Sequence, residues 1–327
     1  MSKNKIFTNG YALLIGVGEC PNNPKLSLPA SVRDVQALHQ VITNSSLCAY
    51  PNDSQHIRLL HDETATRSSI LQGLEWLKNQ TARDSQATAI IYYSGHGWLD
   101  QTDNSYYLLP SDIDPFDFKN SALPALKFIQ ALRQINSQRL LIVIDSCHAA
   151  GMATSKTSFH QASIKLPPGF TQQSPPKQVI DSFKQGKGRV VFTSSQGNES
   201  SWVMPDDSLS LYTYHFIEAL QGAANKQGHI VVKVSDLMGH LSTAVPETAK
   251  RLYQTKQTPF FDFTTEDFAI ALLQGGKGLP DPEWHPTVEK LPNPQSVEVQ
   301  ASGNRSVAIG RDANGAVINI GDRNNVR

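Results

Sequence analysis

Four short apolar runs set the terms for this chain: YALLIGV (11–17), ATAIIYY (87–93), RLLIVI (139–144) and RVVFTS (189–194). Each is too short for a typical buried helix and lacks the apolar/polar alternation of a half-exposed strand. Runs of this kind are strands covered on both faces, which is the signature of a parallel sheet. Between them lie helical patterns. Residues 31–43 place Val32, Val35, Leu38 and Ile42 at helical spacing. After IRLL (57–60), a further strand, Ile70, Leu71, Leu74 and Leu77 share one helical face, with Thr64 or Thr66 as the N-cap. Helices are also predicted over 123–136, 211–221 and 234–245, and FFDF (260–263) is a sixth strand. Strands alternating with helices make βαβ units. With right-handed crossovers they give an α/β fold: a mostly parallel six-stranded sheet with helices on both faces.

Composition narrows the function. The 327 residues carry 29 Lys plus Arg against 29 Asp plus Glu, so no excess positive charge exists for a nucleic-acid surface. Cys20, Cys48 and Cys147 form no CxxC, which excludes a disulfide framework and a cysteine zinc site. The N-terminal MSKNKIFTNG has no apolar signal segment, and no run approaches the length of a membrane span. A reducing cytoplasmic setting is the expectation.

Two stretches break the strand–helix rhythm. Residues 155–187 hold Pro167, Pro168, Pro175 and Pro176, five lysines (Lys156, Lys165, Lys177, Lys184, Lys187) and one acid, Asp181. This is expected to be an exposed linker between two parts of one sheet. Residues 273–302, with Pro280, Pro282, Pro286, Pro292 and Pro294, are expected to be a second linker. Beyond it, residues 303–327 hold two similar units, SVAIGRDANG and AVINIGDRNN, expected to form a short β-rich appendage: a hairpin or one solenoid coil.

Ligands in an open parallel sheet bind beyond the carboxyl ends of its strands. Ser94-Gly95-His96-Gly97 follows the third strand, and Asp145-Ser146-Cys147-His148 follows the fourth. If those strands are neighbours, an imidazole and a thiol come within reach of one proton transfer, the arrangement that activates a cysteine nucleophile. Blander readings stand beside this one. Cys48 is expected to be a small core hydrophobe; Cys20, just after the first strand, is undecided; His96 between glycines also suits a turn. His148 is taken as structural, because adjacent side chains diverge. Other chemistries fit poorly. A cysteine phosphatase needs an arginine where Ala153 stands, no GxSxG or GxxxxGK[ST] occurs, and Gly186-Lys187-Gly188 precedes a strand rather than a helix. Asp112 and Asp114 form an acidic pair of the sort that usually stays solvated.

At this point IIYYSGHG, followed about fifty residues later by LLIVIDSCHAAG, resembles the caspase-like cysteine peptidases, nearest the metacaspase and bacterial orthocaspase branch with its YSGHG and DxCHSG signatures. YALLIGV, SVRDV and the late QTP at 257–259 extend the resemblance over residues 8–272. Ala149-Ala150-Gly151 departs from the usual Ser-Gly but keeps the side chains small. The resemblance implies a three-layer sandwich with a large-subunit part (8–154), the linker 155–187 and a small-subunit part (188–272). It implies His96 as general base, Cys147 as nucleophile, and the backbone N–H groups of Gly97 and Cys147 as the oxyanion hole. Asp34, Ser94 and Asp145 would line an acidic pocket for an arginine or lysine, and the linker lysines would be self-cleavage points. Expected partners are protein or peptide substrates with a basic residue before the cut, and a protein bound by the C-terminal tail. No cofactor is expected. Some metacaspases need calcium, but Asp112 and Asp114 make no clear site for it. The competing reading is a catalytically silent caspase-like scaffold that binds partners through its tail. Without the resemblance, Asp34 reads as a charge on a helix surface.

Overall fold

The computed structural model describes residues 5–146, 168–226, 228–263 and 267–274, and the strand pair 309–310 with 317–318. The chain divides into two units, residues 1–288 and 289–327. In the first unit the chain runs β1 (Gly10–Gly16), α1 (Pro29–Thr43), β2 (Ile57–His61), α2 (Arg67–Thr81), β3 (Thr88–Gly95), β4 (Gly97–Asp100) and β5 (Tyr106–Leu108). Then come α3 (Phe118–Ser121), β6 (Leu123–Pro124), α4 (Ala125–Arg133), β7 (Arg139–Ser146), β8 (Phe170–Gln172), α5 (Lys177–Phe183) and β9 (Arg189–Thr193). It closes with α6 (Leu211–Leu220), β10 (Val231–Lys233), α7 (Val234–Tyr253), β11 (Phe260–Phe263) and β12 (Ala269–Leu272). In the second unit β13 (Ile309–Gly310) pairs antiparallel with β14 (Val317–Ile318).

All six strands read from the sequence enter one sheet, in the order β11-β9-β7-β3-β1-β2. It is parallel except at the β11 edge, where Phe260 pairs antiparallel with Thr193. Because side chains alternate across a strand, each central strand feeds two cores. Leu13, Ile15, Ile91, Tyr93, Ile142 and Ile144 pack beneath α2 and α4, and Ala12, Leu14, Ile90, Tyr92, Leu141 and Val143 beneath α1, α6 and α7. This is the three-layer α/β sandwich expected, and the apolar runs are unbroken because both faces are covered.

Local chemistry sets the helix ends. Thr66, not Thr64, caps α2: its hydroxyl accepts from the Ser69 N–H at 3.1 Å. The α7 helix continues to Tyr253, eight residues past the expected end at 245, although Pro246 removes one backbone donor. Val245, Thr248 and Ala249 are buried there, so packing outweighs the lost bond.

Two features are corrections. A second sheet, β6-β5-β4-β8, was not anticipated. Its strands have two to four residues, too few to display a period, and an aromatic cluster of Trp98, Tyr107, Phe118 and Phe170 holds it together. The exposed linker expected over 155–187 is also wrong for residues 168–187. Phe170–Gln172 pairs with β4, and α5 buries Ile180 and Phe183 in the core. Residues 155–167 lie outside the described residues.

Candidate active site

The strand order changes direction between β1 and β3: β1 leads to β2 on one side, and β3 leads towards β7 on the other. A crevice opens at the carboxyl ends of strands at such a point. In the β3–β7 register Ser94 faces Asp145 and Gly95 faces Ser146. In sequence, the residues that follow these two are His96 and Cys147. Cys147 itself lies outside the described residues.

His96 is 1% exposed. Its Nε2–H donates to the Leu26 carbonyl at 3.0 Å, which leaves Nδ1 as the acceptor nitrogen. The Gln172 side-chain N–H reaches that Nδ1 at 3.1 Å from β8. The Tyr93 hydroxyl lies 2.9 Å from the backbone carbonyls of both His96 and Leu109. Gly97 allows a close approach that no other residue would: a Cβ there would overlap the Tyr106 hydroxyl. That hydroxyl bonds to the Ser146 Oγ at 2.9 Å and donates towards the Gln173 carbonyl at 3.0 Å, tying β5 to the end of β7.

Asp34, Ser94 and Asp145 come together and are fully buried, so Asp34 is not a helix-surface charge. The Ser94 hydroxyl donates to Asp34 Oδ2 at 2.8 Å, and the Ser210 backbone N–H donates to Asp34 Oδ1 at 2.8 Å. Asp145 accepts from the Ser201 hydroxyl at 2.9 Å and the Ser210 hydroxyl at 2.6 Å. Ser210 therefore bridges the two carboxylates. It also caps α6, accepting from the Thr213 N–H at 2.9 Å. The protons fit one direction: Tyr92 donates to Thr213, Thr213 to Ser210, and Ser210 to Asp145. Tyr92 holds its proton tightly, because burial and the charges of Asp145 and Asp34 push its pKa well above the usual phenol value. Behind Ser201 the buried Gln257 of the QTP segment donates to the Ser201 hydroxyl at 3.2 Å and the Ser194 carbonyl at 3.1 Å.

Leu26, Gln172, Ser201, Ser210 and Tyr106 were missed by sequence reasoning. Ser210 had a usable signal, a serine directly before the apolar LYTYHFIEAL, which is an N-cap pattern. The others act from loops or very short strands and carry no periodic mark.

The remaining candidates are placed as follows. Cys20 and Cys48 are both buried, their thiols pushed up to about 12 by desolvation, and face the Leu26 and Leu220 carbonyls. Asp112 accepts from the Arg67 N–H at the start of α2, and Asp114 from the Phe116 N–H. Lys177 opens α5, Lys184 pairs with Asp262 at 2.7 Å, and Lys187 lies in the turn before β9. Lys156, Lys165 and His148 are outside the described residues.

The caspase-domain family model (peptidase family C14) matches residues 9–269, and the chain belongs to this family of cysteine peptidases. No curated protein matches the chain. Similar solved structures include a protein from Geobacter sulfurreducens, at 16% identity and TM-score 0.48, covering 84% of this chain and 95% of that one. Caspase-1 from Spodoptera frugiperda is similar at 12% identity and TM-score 0.47, covering 84% of this chain and 93% of that one. Among the described residues no helix is long and apolar enough to cross a membrane.

Proposed function

We propose that this caspase-domain protein is a cysteine endopeptidase that cuts after arginine or lysine, with His96 as base and Cys147 as nucleophile. The observation that carries the reading is the tautomer of His96. With Nε2–H fixed on the Leu26 carbonyl, the basic lone pair sits on Nδ1, and Cys147 follows in sequence directly after β7, the strand paired with β3. The thiol proton passes to Nδ1, and the thiolate attacks the scissile carbonyl. Backbone N–H groups of Gly97 and Cys147 hold the oxyanion. The Nδ1 proton then leaves with the amine, and water hydrolyses the acyl-enzyme.

Basic specificity is supported by Asp34 and Asp145, two buried carboxylates joined through Ser210. A guanidinium gains charge-assisted hydrogen bonds from such a pair, whereas a substrate aspartate is repelled. Self-cutting at Lys177 or Lys184 is disfavoured, because they sit in or at the end of α5. A peptide substrate has to be extended at the cut. A peptide with arginine at its end and a thiol-reactive warhead tests the proposal. It should label wild-type protein once, at Cys147, and leave Cys147→Ala unlabelled. Labelling of both alike, or of neither, overturns it.

A further inference from the structure

The α6–α7 junction holds a cluster that the peptidase reading does not use. His215 and Glu218 are three residues apart on α6 and so share a face. His240 reaches them from α7. His215 Nδ1 lies 2.5 Å and His240 Nε2 2.8 Å from the same oxygen, Glu218 Oε2. The three side chains are only 7%, 12% and 18% exposed (His215, Glu218, His240), so the group is largely shielded from water.

We propose that His215, Glu218 and His240 form a binding site for a transition-metal dication of the zinc class. Two imidazole nitrogens and one carboxylate oxygen are a donor set zinc accepts, with water completing four-coordination. Their ligand atoms all lie within 4.8 Å of one another. Tetrahedral zinc needs its donors about 3.3 Å apart for bonds near 2.0–2.1 Å, so the two imidazole nitrogens, at 2.5 and 2.8 Å from the Glu218 oxygen, have each to move out by under about 1 Å.

A second, independent feature supports the site. The far nitrogen of His215, Nε2, lies 2.9 Å from the buried Thr248 hydroxyl. A metal-bound imidazole needs an acceptor for the N–H on its other nitrogen, and such a partner fixes the tautomer. A hydroxyl both donates and accepts, so Thr248 serves His215 before and after the metal arrives. On binding, each neutral imidazole carries its proton on the far nitrogen, and the metal takes the near lone pair. The site does not depend on the peptidase reading.

The test uses the full chain carrying Cys147→Ala, which removes the thiol expected to bind metal elsewhere. Cobalt(II) is titrated in, followed by its visible bands, and then displaced with zinc. One cobalt per chain should bind without the near-ultraviolet band of sulfur ligation. Zinc at about a hundredfold excess over its Kd should raise Tm by roughly 5 °C or more. His240→Ala and Glu218→Gln should each weaken binding by at least about tenfold, and Thr248→Val by about tenfold. If His240→Ala does not fold, Glu218→Gln, which keeps the side-chain size, decides alone. No cobalt bound to folded protein, a sulfur-type spectrum, or unchanged affinity in the variants overturns the proposal.

Discussion

Replacing Ser210 with alanine removes the hydroxyl's bonds to Asp145, to the Thr213 N–H and to the Thr213 hydroxyl, and leaves one backbone bond; the two largest losses set the scale. The cap on the Thr213 N–H is lost, at a cost of about 1 kcal/mol. The 2.6 Å bond to the buried Asp145 carboxylate is lost, which costs about 1.5–3 kcal/mol because the acceptor is charged. The N–H donated to Asp34 survives, since it belongs to the main chain. The sum is about 3 kcal/mol, or roughly 6–12 °C in Tm for a unit of this size. Ser210→Gly separates the two parts: glycine caps almost as well as serine, so this variant should recover about 1 kcal/mol relative to alanine. Denaturant unfolding of wild type and both variants gives the numbers. With the pocket reading above, kcat/KM for an arginine peptide should also fall by about tenfold in both variants, because one pocket carboxylate is less firmly oriented. A loss below about 1 kcal/mol, with alanine and glycine equal, would show that the Ser210–Asp145 bond holds nothing together.

Three further outcomes follow from the structure. Iodoacetamide at pH 7.5 should modify Cys147 and spare Cys20 and Cys48, whose pKa of about 12 leaves a thiolate fraction of only about 10⁻⁴–10⁻⁵; peptide mapping that finds Cys20 or Cys48 modified in folded protein refutes this. Gln172→Ala frees His96 Nδ1 from one neutral hydrogen bond and should raise turnover by about fivefold, whereas a drop would mean that Gln172 positions the ring rather than restrains it. Asp100 is held down to about 2, chiefly by Lys119 and then by Thr102, against an ordinary value of 3.8. Its folded pKa is the lower one, so its contribution to stability is present above about pH 4 and vanishes as pH falls towards 2. The Tm gap between wild type and Asp100→Asn should stay flat at neutral pH and close across that acid window.

The large sheet was legible because doubly covered strands advertise themselves: Leu13, Ile91 and Ile142 are each followed by residues buried in the opposite core, so no polar position interrupts the runs. The small sheet was not legible. Leu123–Pro124 and Phe170–Gln172 are too short for a pattern, and the second hides among prolines and lysines that suggest solvent. That concealed Gln172, the residue bonded to His96 Nδ1. Charged residues mislead for a related reason. Nothing local distinguishes Asp34 from a surface acid on α1; its hydrogen-bond partners include Ser94 and Ser210, both distant in sequence. The resemblance over SVRDV and DSC led to Asp34 and Asp145. Ser201 and Ser210, which hydrogen-bond Asp145, sit on either side of a long turn with no periodicity.

The central claim is tested most directly by hydrolysis of matched fluorogenic peptides ending in arginine, lysine or aspartate, with wild-type protein, Cys147→Ala and His96→Ala, each with and without calcium. The account predicts cleavage after arginine and lysine, none after aspartate, and a comparable collapse of activity in both variants, since base and nucleophile act as one unit. Cleavage after aspartate, or full activity without either side chain, would contradict it.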